Sequence, residues 1–71
     1  MEKKVIWNGS TTCDICNRQI SETLYDAKTW QGCWGTLCEN CFRKYGISTG
    51  VGFGQKYRKN QETGNFEKVE G

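Results

Sequence analysis

Four of the five cysteines form two Cys-x-x-Cys pairs, Cys13 with Cys16 and Cys38 with Cys41, and 21 residues separate the pairs. A pair at this spacing sets two sulfurs on one side of a tight turn. Two such pairs supply four thiolates, the donor set of a closed tetrahedral structural site with metal–sulfur distances of about 2.3 Å. The expected ion is one structural Zn2+; a bare four-sulfur set also suits iron, and spacing alone leaves that choice open. Cys33 has no partner at this spacing and is expected to lie outside the shell.

A disulfide framework is the rival use of these residues. Five cysteines are an odd number and would leave one thiol over. Met1-Glu2-Lys3-Lys4 leads through Val5-Ile6-Trp7 into polar residues, without the apolar run of a secretory leader. No stretch has the length of a membrane span. A reduced, cytoplasmic protein fits these features, and in that compartment paired cysteines bind metal. Neither pair sits in the βαβ context of a thiol–disulfide oxidoreductase.

Catalysis finds little support. The chain has no histidine, so the commonest acid–base group is missing. Four cysteines close a metal's coordination shell, whereas catalytic zinc keeps a position for water. The carboxylates are scattered, and Cys33 has no histidine to activate it. The expectation is a non-enzymatic protein with no small-molecule substrate.

Charge points to partners. The formal net charge is +2 with neutral thiols, and four thiolates with one divalent ion contribute −2, so the loaded chain is near neutral. The distribution is uneven. Residues 40–61 carry Arg43, Lys44, Lys56, Arg58 and Lys59 and no acidic residue, while Glu62, Glu67 and Glu70 follow. Such a cluster suits phosphate or an acidic protein surface; equally, it suits a solvated face.

The elements must bring these residues together. Thr11-Thr12 enters a first turn at Cys13-Asp14-Ile15-Cys16, and Asn17 follows, a residue that tolerates the positive φ such a knuckle demands. Thr23-Leu24-Tyr25 and Thr29-Trp30 read as strand fragments around Asp26-Ala27-Lys28, and Thr36-Leu37 leads into Cys38. After Cys41, Phe42 and Tyr45 share a helical face, Arg43 and Lys44 suit the end of a helix, and Gly46 is a natural stop. The second pair should therefore open a short helix. Knuckle, β-hairpin and helix in that order make a treble-clef-like zinc finger rather than a zinc ribbon, in which both pairs occupy hairpin tips.

Four glycines between Gly46 and Gly54 lack the strand–loop–helix context and Gly-Lys-Ser/Thr ending of a nucleotide loop. They read as a tightly winding connection, with backbone amides offered to phosphate as the weaker alternative. Gln55–Lys59 and Asn65–Val69 flank a turn at 62–65 and read as a C-terminal β-hairpin, with Tyr57, Phe66 and Val69 on its apolar face. The fold class is thus a small metal-stabilised α+β unit. Residues 1–71 form one domain, with a core at 11–46, the Gly-rich connection at 46–54 and the hairpin at 55–70. With hydrophobic residues at only 35%, the metal must supply what a small core cannot.

The run Trp34-Gly-Thr-Leu-Cys38-Glu-Asn-Cys41-Phe-Arg-Lys-Tyr-Gly46, with Gly50-Val-Gly-Phe-Gly54-Gln55-Lys56-Tyr57 after it, resembles a family of small, generally uncharacterised bacteriophage-encoded four-cysteine proteins. Cys33 departs from that pattern. The resemblance implies action in the bacterial host cytoplasm and no established activity.

Two kinds of partner follow from the residues. Arg43 and Lys44 on the helix, with Lys56, Arg58 and Lys59 on the hairpin, suit the phosphates of a nucleic acid, and Tyr57 or Trp30 suits base stacking. The alternative is a module that binds a host protein through exposed aromatics. A monomer is expected.

Overall fold

Among the described residues the chain folds into four strands and one short helix. The computed structural model describes residues 5–50 and 52–70. Its elements are β1 (Thr23–Lys28), β2 (Trp34–Cys38), α1 (Glu39–Tyr45), β3 (Gly54–Lys59) and β4 (Phe66–Glu70). The strands form one antiparallel sheet in the order β2-β1-β3-β4. The α+β class, the hairpin ahead of the helix and the C-terminal hairpin agree with the sequence.

Two features of β1 differ from expectation. It is one continuous strand, not two fragments around residues 26–28. It also lies at the centre of the sheet, pairing Tyr25 with Leu37 on one side and with Lys56 on the other. Hydrogen bonding along both edges overrides the weak strand propensity of Asp26-Ala27-Lys28. The two hairpins consequently share a sheet instead of standing apart.

The helix starts directly after Cys38 and ends at Gly46, whose N–H donates to the Phe42 carbonyl at 2.8 Å. Gly46 is a stop for a reason of space. Its φ of −75° is ordinary for any residue. A Cβ there would strike the Phe42 ring and lie 2.7 Å from the Phe42 carbonyl oxygen. Phe42 in turn stacks on Tyr25 with ring centroids 3.9 Å apart and planes 3° from parallel. That stack docks α1 on the sheet.

The core is small and draws on every element: Leu24, Leu37, Ile20, Tyr57 and Phe66 are buried together with Cys13 and Cys41. Trp7 packs on Tyr57 at 5.3 Å with a 54° tilt. It is held by its N–H to the Phe66 carbonyl (2.9 Å), while Lys68 N–H donates to Val5 (2.9 Å). The segment before β1 therefore runs along β4; Met1–Lys4 of the expected arm lie outside the described residues. Val69 does not join the apolar face, being 50% exposed.

The Gly-rich connection winds tightly. The N–H groups of Gly50, Phe53 and Gly54 all donate within the turn, to the carbonyls of Gly54 or Gly50. These three amides are engaged within the turn. No helix among the described residues is long and apolar enough to cross a membrane.

Candidate metal centre

The first pair lies in a miniature hairpin. Thr12 bridges Gln19, Cys13 N–H donates to the Arg18 carbonyl (2.9 Å), and Ile20 N–H donates to the Thr11 carbonyl (2.7 Å). The chain reverses at Asn17, which has a φ of 62° and donates its N–H to the Cys13 carbonyl at 2.9 Å. Asparagine's tolerance of the left-handed region makes this turn possible without glycine.

The second pair arrives from another direction. Cys38 is the last residue of β2 and the N-cap of α1, with extended backbone angles (φ −77°, ψ 168°). Cys41 sits one turn into the helix and is buried. Strand end and helix start thus turn both sulfurs toward the knuckle.

The four sulfurs lie within 4.8 Å of one another. Cys16 Sγ and Cys38 Sγ are 3.8 Å apart. A tetrahedron with metal–sulfur bonds of about 2.3 Å has edges of about 3.8 Å, so the donor set and its spacing fit a tetrahedral metal ion. Cys33 is not among the clustered thiols; it is exposed in the turn before β2.

The sulfurs differ electrostatically. Burial opposes ionisation of Cys13. The backbone N–H groups of Cys16, Cys38 and Ile15 outweigh it and hold the thiol down at about 6. Cys41 experiences the opposite: burial, followed by the hydrogen bonds of the other three sulfurs and the charge of Cys13, pushes it up to about 12. One site thus joins a thiol lowered toward ionisation with a thiol raised against it. Arg18 and Lys44 line the cleft over Cys16, Cys38 and Cys41.

Asp14 is a positioning residue that spacing did not reveal. Its N–H donates to the Thr36 carbonyl and its Oδ2 accepts from Thr36 N–H, both at 2.8 Å. This two-point clamp fixes the knuckle against β2, two residues before Cys38. The sequence signal was faint: an acidic residue inside the first Cys-x-x-Cys.

The cationic residues are dispersed. Arg43 is exposed and 3.9 Å from Glu39 on its own helix. Lys44 is exposed near the sulfurs. Lys56 is 3.8 Å from Glu70 and lies over the Tyr25 ring, 5.8 Å from its centroid. Arg58 is exposed opposite Glu67, and with Lys59 it lines a cleft shared with Glu22 and Glu39. Tyr57 must be withdrawn as a stacking residue: it is 4% exposed, packed on Trp7, with its hydroxyl donating to Gln55 Oε1 at 3.0 Å. Trp30, by contrast, is 64% exposed.

Comparison with protein-family models, with curated proteins and with solved structures gives no match.

Proposed function

We propose that the chain is a non-enzymatic zinc finger of the treble-clef kind, acting as a nucleic-acid-binding module. The four-sulfur cluster carries the first half of this reading. Its sulfurs come from a knuckle, a strand end and a first helical turn, the order and placement expected of a treble clef. Four thiolates at tetrahedral spacing leave no coordination position for a substrate, so Zn2+ here holds the fold and performs no reaction.

Exposed cations support the second half. Arg43, Lys44 and Arg58 reach solvent from α1 and β3. Phosphate contacts of this kind position a ligand without reading its bases. Fluorescence anisotropy of labelled oligonucleotides against the zinc-loaded chain tests the proposal. With about three to five cationic contacts, log Kd should change against log salt with a slope of magnitude roughly 2 to 5. Replacing Arg58 and Lys59 with alanine should weaken binding of all sequences alike and flatten the slope. No binding of duplex or single strand at low salt would reject this function and leave a protein partner as the ligand.

A further inference from the structure

The four clustered sulfurs are not equally open to solvent, and the division does not follow the Cys-x-x-Cys pairs. Cys13 is fully buried and Cys41 is 7% exposed, whereas Cys16 is exposed and Cys38 half-buried. Each pair thus contributes one inner and one outer thiol. The two outer sulfurs, one from the knuckle and one from the end of β2, lie 3.8 Å apart. Together with Cys41 they border the cleft that Arg18, Asn40 and Lys44 also line.

Reach and anchoring favour a bond between the outer two. A disulfide holds its sulfurs at about 2.05 Å, so those of Cys16 and Cys38 need to close by about 1.8 Å. Cys13 is the poorer partner for Cys16. Its sulfur accepts the backbone N–H groups of Cys16, Cys38 and Ile15, which hold it inside the knuckle. Cys41 is fixed in the first turn of α1 and packed in the core. Cys33 is out of range: it precedes β2, whereas Cys38 ends that strand, roughly 16 Å further along an extended chain. Oxidants attack thiolates where they are accessible, and the sulfenic acid that forms is captured by a neighbouring thiolate.

We infer that the metal centre is a two-electron redox site whose first oxidation product is a Cys16–Cys38 disulfide, with hydrogen peroxide as the oxidant. The inference rests on the metal reading above and goes beyond it. The Cys16 thiolate attacks one peroxide oxygen, the O–O bond breaks, and hydroxide leaves with the bonding pair, giving a sulfenic acid. The Cys38 thiolate then attacks the Cys16 sulfur, the S–O bond breaks, and a second hydroxide leaves. Each sulfur has lost one electron, the peroxide has gained two, and protonation of both hydroxides gives two waters. Two of the four anionic donors are then gone, and Cys13 and Cys41 alone no longer close a shell around a divalent ion. The new bond ties the knuckle to the junction of β2 and α1, the parts that the metal joins, so reduction returns four thiols in place for reloading.

Trypsin cuts at Arg18, Lys28 and Arg43, which separates Cys13 and Cys16 (residues 5–18) from Cys38 and Cys41 (residues 29–43). The Cys33→Ser variant removes the exposed thiol that would otherwise join two copies. The zinc-loaded wild-type chain and this variant are titrated with hydrogen peroxide beside a chromophoric chelator, against an untreated control, then alkylated and mapped without reduction. One zinc should be released per disulfide formed. Peptides 5–18 and 29–43 should be joined, with tandem mass spectrometry placing the bond between Cys16 and Cys38. Dithiothreitol and added zinc should restore one zinc per chain by native mass spectrometry. In the variant, a first disulfide within either Cys-x-x-Cys pair, a link through Cys13 or Cys41, zinc release without a disulfide, or zinc retained at excess peroxide would overturn the inference and leave the structural zinc site standing. A chain that carries no zinc before peroxide is added would overturn the metal reading along with it.

Discussion

At the scale of residues, the metal site is a set of unequal thiols. Cys13 is held at about 6 by backbone N–H groups despite its burial, and Cys41 is pushed up to about 12 by burial and its sulfur neighbours. Near neutral pH, zinc uptake must therefore displace the Cys41 proton while finding Cys13 already ionised. Lowering the pH adds proton competition, and below about 6 Cys13 joins it. Zinc affinity, followed by competition with a chromophoric chelator between pH 5 and 8, should fall as pH falls and steepen at the acid end; a flat profile would contradict the assigned protonation states. Substitution separates ligands from bystanders. Cys38→Ser should lose zinc and fold, whereas Cys33→Ser should keep one zinc per chain by native mass spectrometry. Asp14→Ala removes the acceptor for Thr36 N–H and should cost about 1 kcal/mol in chemical denaturation, with Asp14→Asn recovering most of it.

At the scale of elements, local signals were readable and long-range ones were not. The knuckle announced itself through Asn17, and the helix through the Phe42–Tyr45 spacing and Gly46. The C-terminal hairpin was legible from its turn residues. What remained hidden was the seam between β1 and β3, because antiparallel pairing of residues 27 to 35 positions apart leaves no periodicity in either strand. Asp26 masked the strand further: burial in the sheet raises its carboxyl above the usual range, a cost that no turn-forming aspartate would bear. The hidden clamp at Asp14 and the burial of Tyr57 have the same origin, since both depend on partners distant in sequence. The seam makes its own prediction. A Cβ on Gly54 would lie 2.7 Å from the Ala27 Cβ, whereas a Cβ on Gly32 meets nothing within 4 Å. Gly54→Ala should therefore lower the melting temperature more than Gly32→Ala, whose cost is the backbone strain of a φ of +92°, roughly 1–2 kcal/mol. Equal shifts would mean that the strands separate to admit the methyl group.

At the scale of the whole molecule, the sheet couples the four-sulfur cluster to residues far from it. Zinc in sites of this type contributes roughly 10–16 kcal/mol, more than a small core can supply. Because β1 pairs with β3 as well as with β2, withdrawing the metal should loosen β3 and β4 as well as the knuckle and helix. Hydrogen exchange after chelation should show amides of Tyr57 and Lys68 losing protection with those of Leu24 and Leu37. Retained protection in the C-terminal hairpin would show that it stands alone, against the marginal stability expected of an isolated pair of strands. The same metal divides the five thiols into two chemical classes: four engaged as ligands when zinc is bound, and Cys33 open to solvent between Trp30 and Trp34. A maleimide thus has one attachment point on the loaded protein. Tethering the chain to a solid support through that point would give every molecule the same orientation, the turn at residues 29–33 against the support and the turn at 60–65 toward the solution.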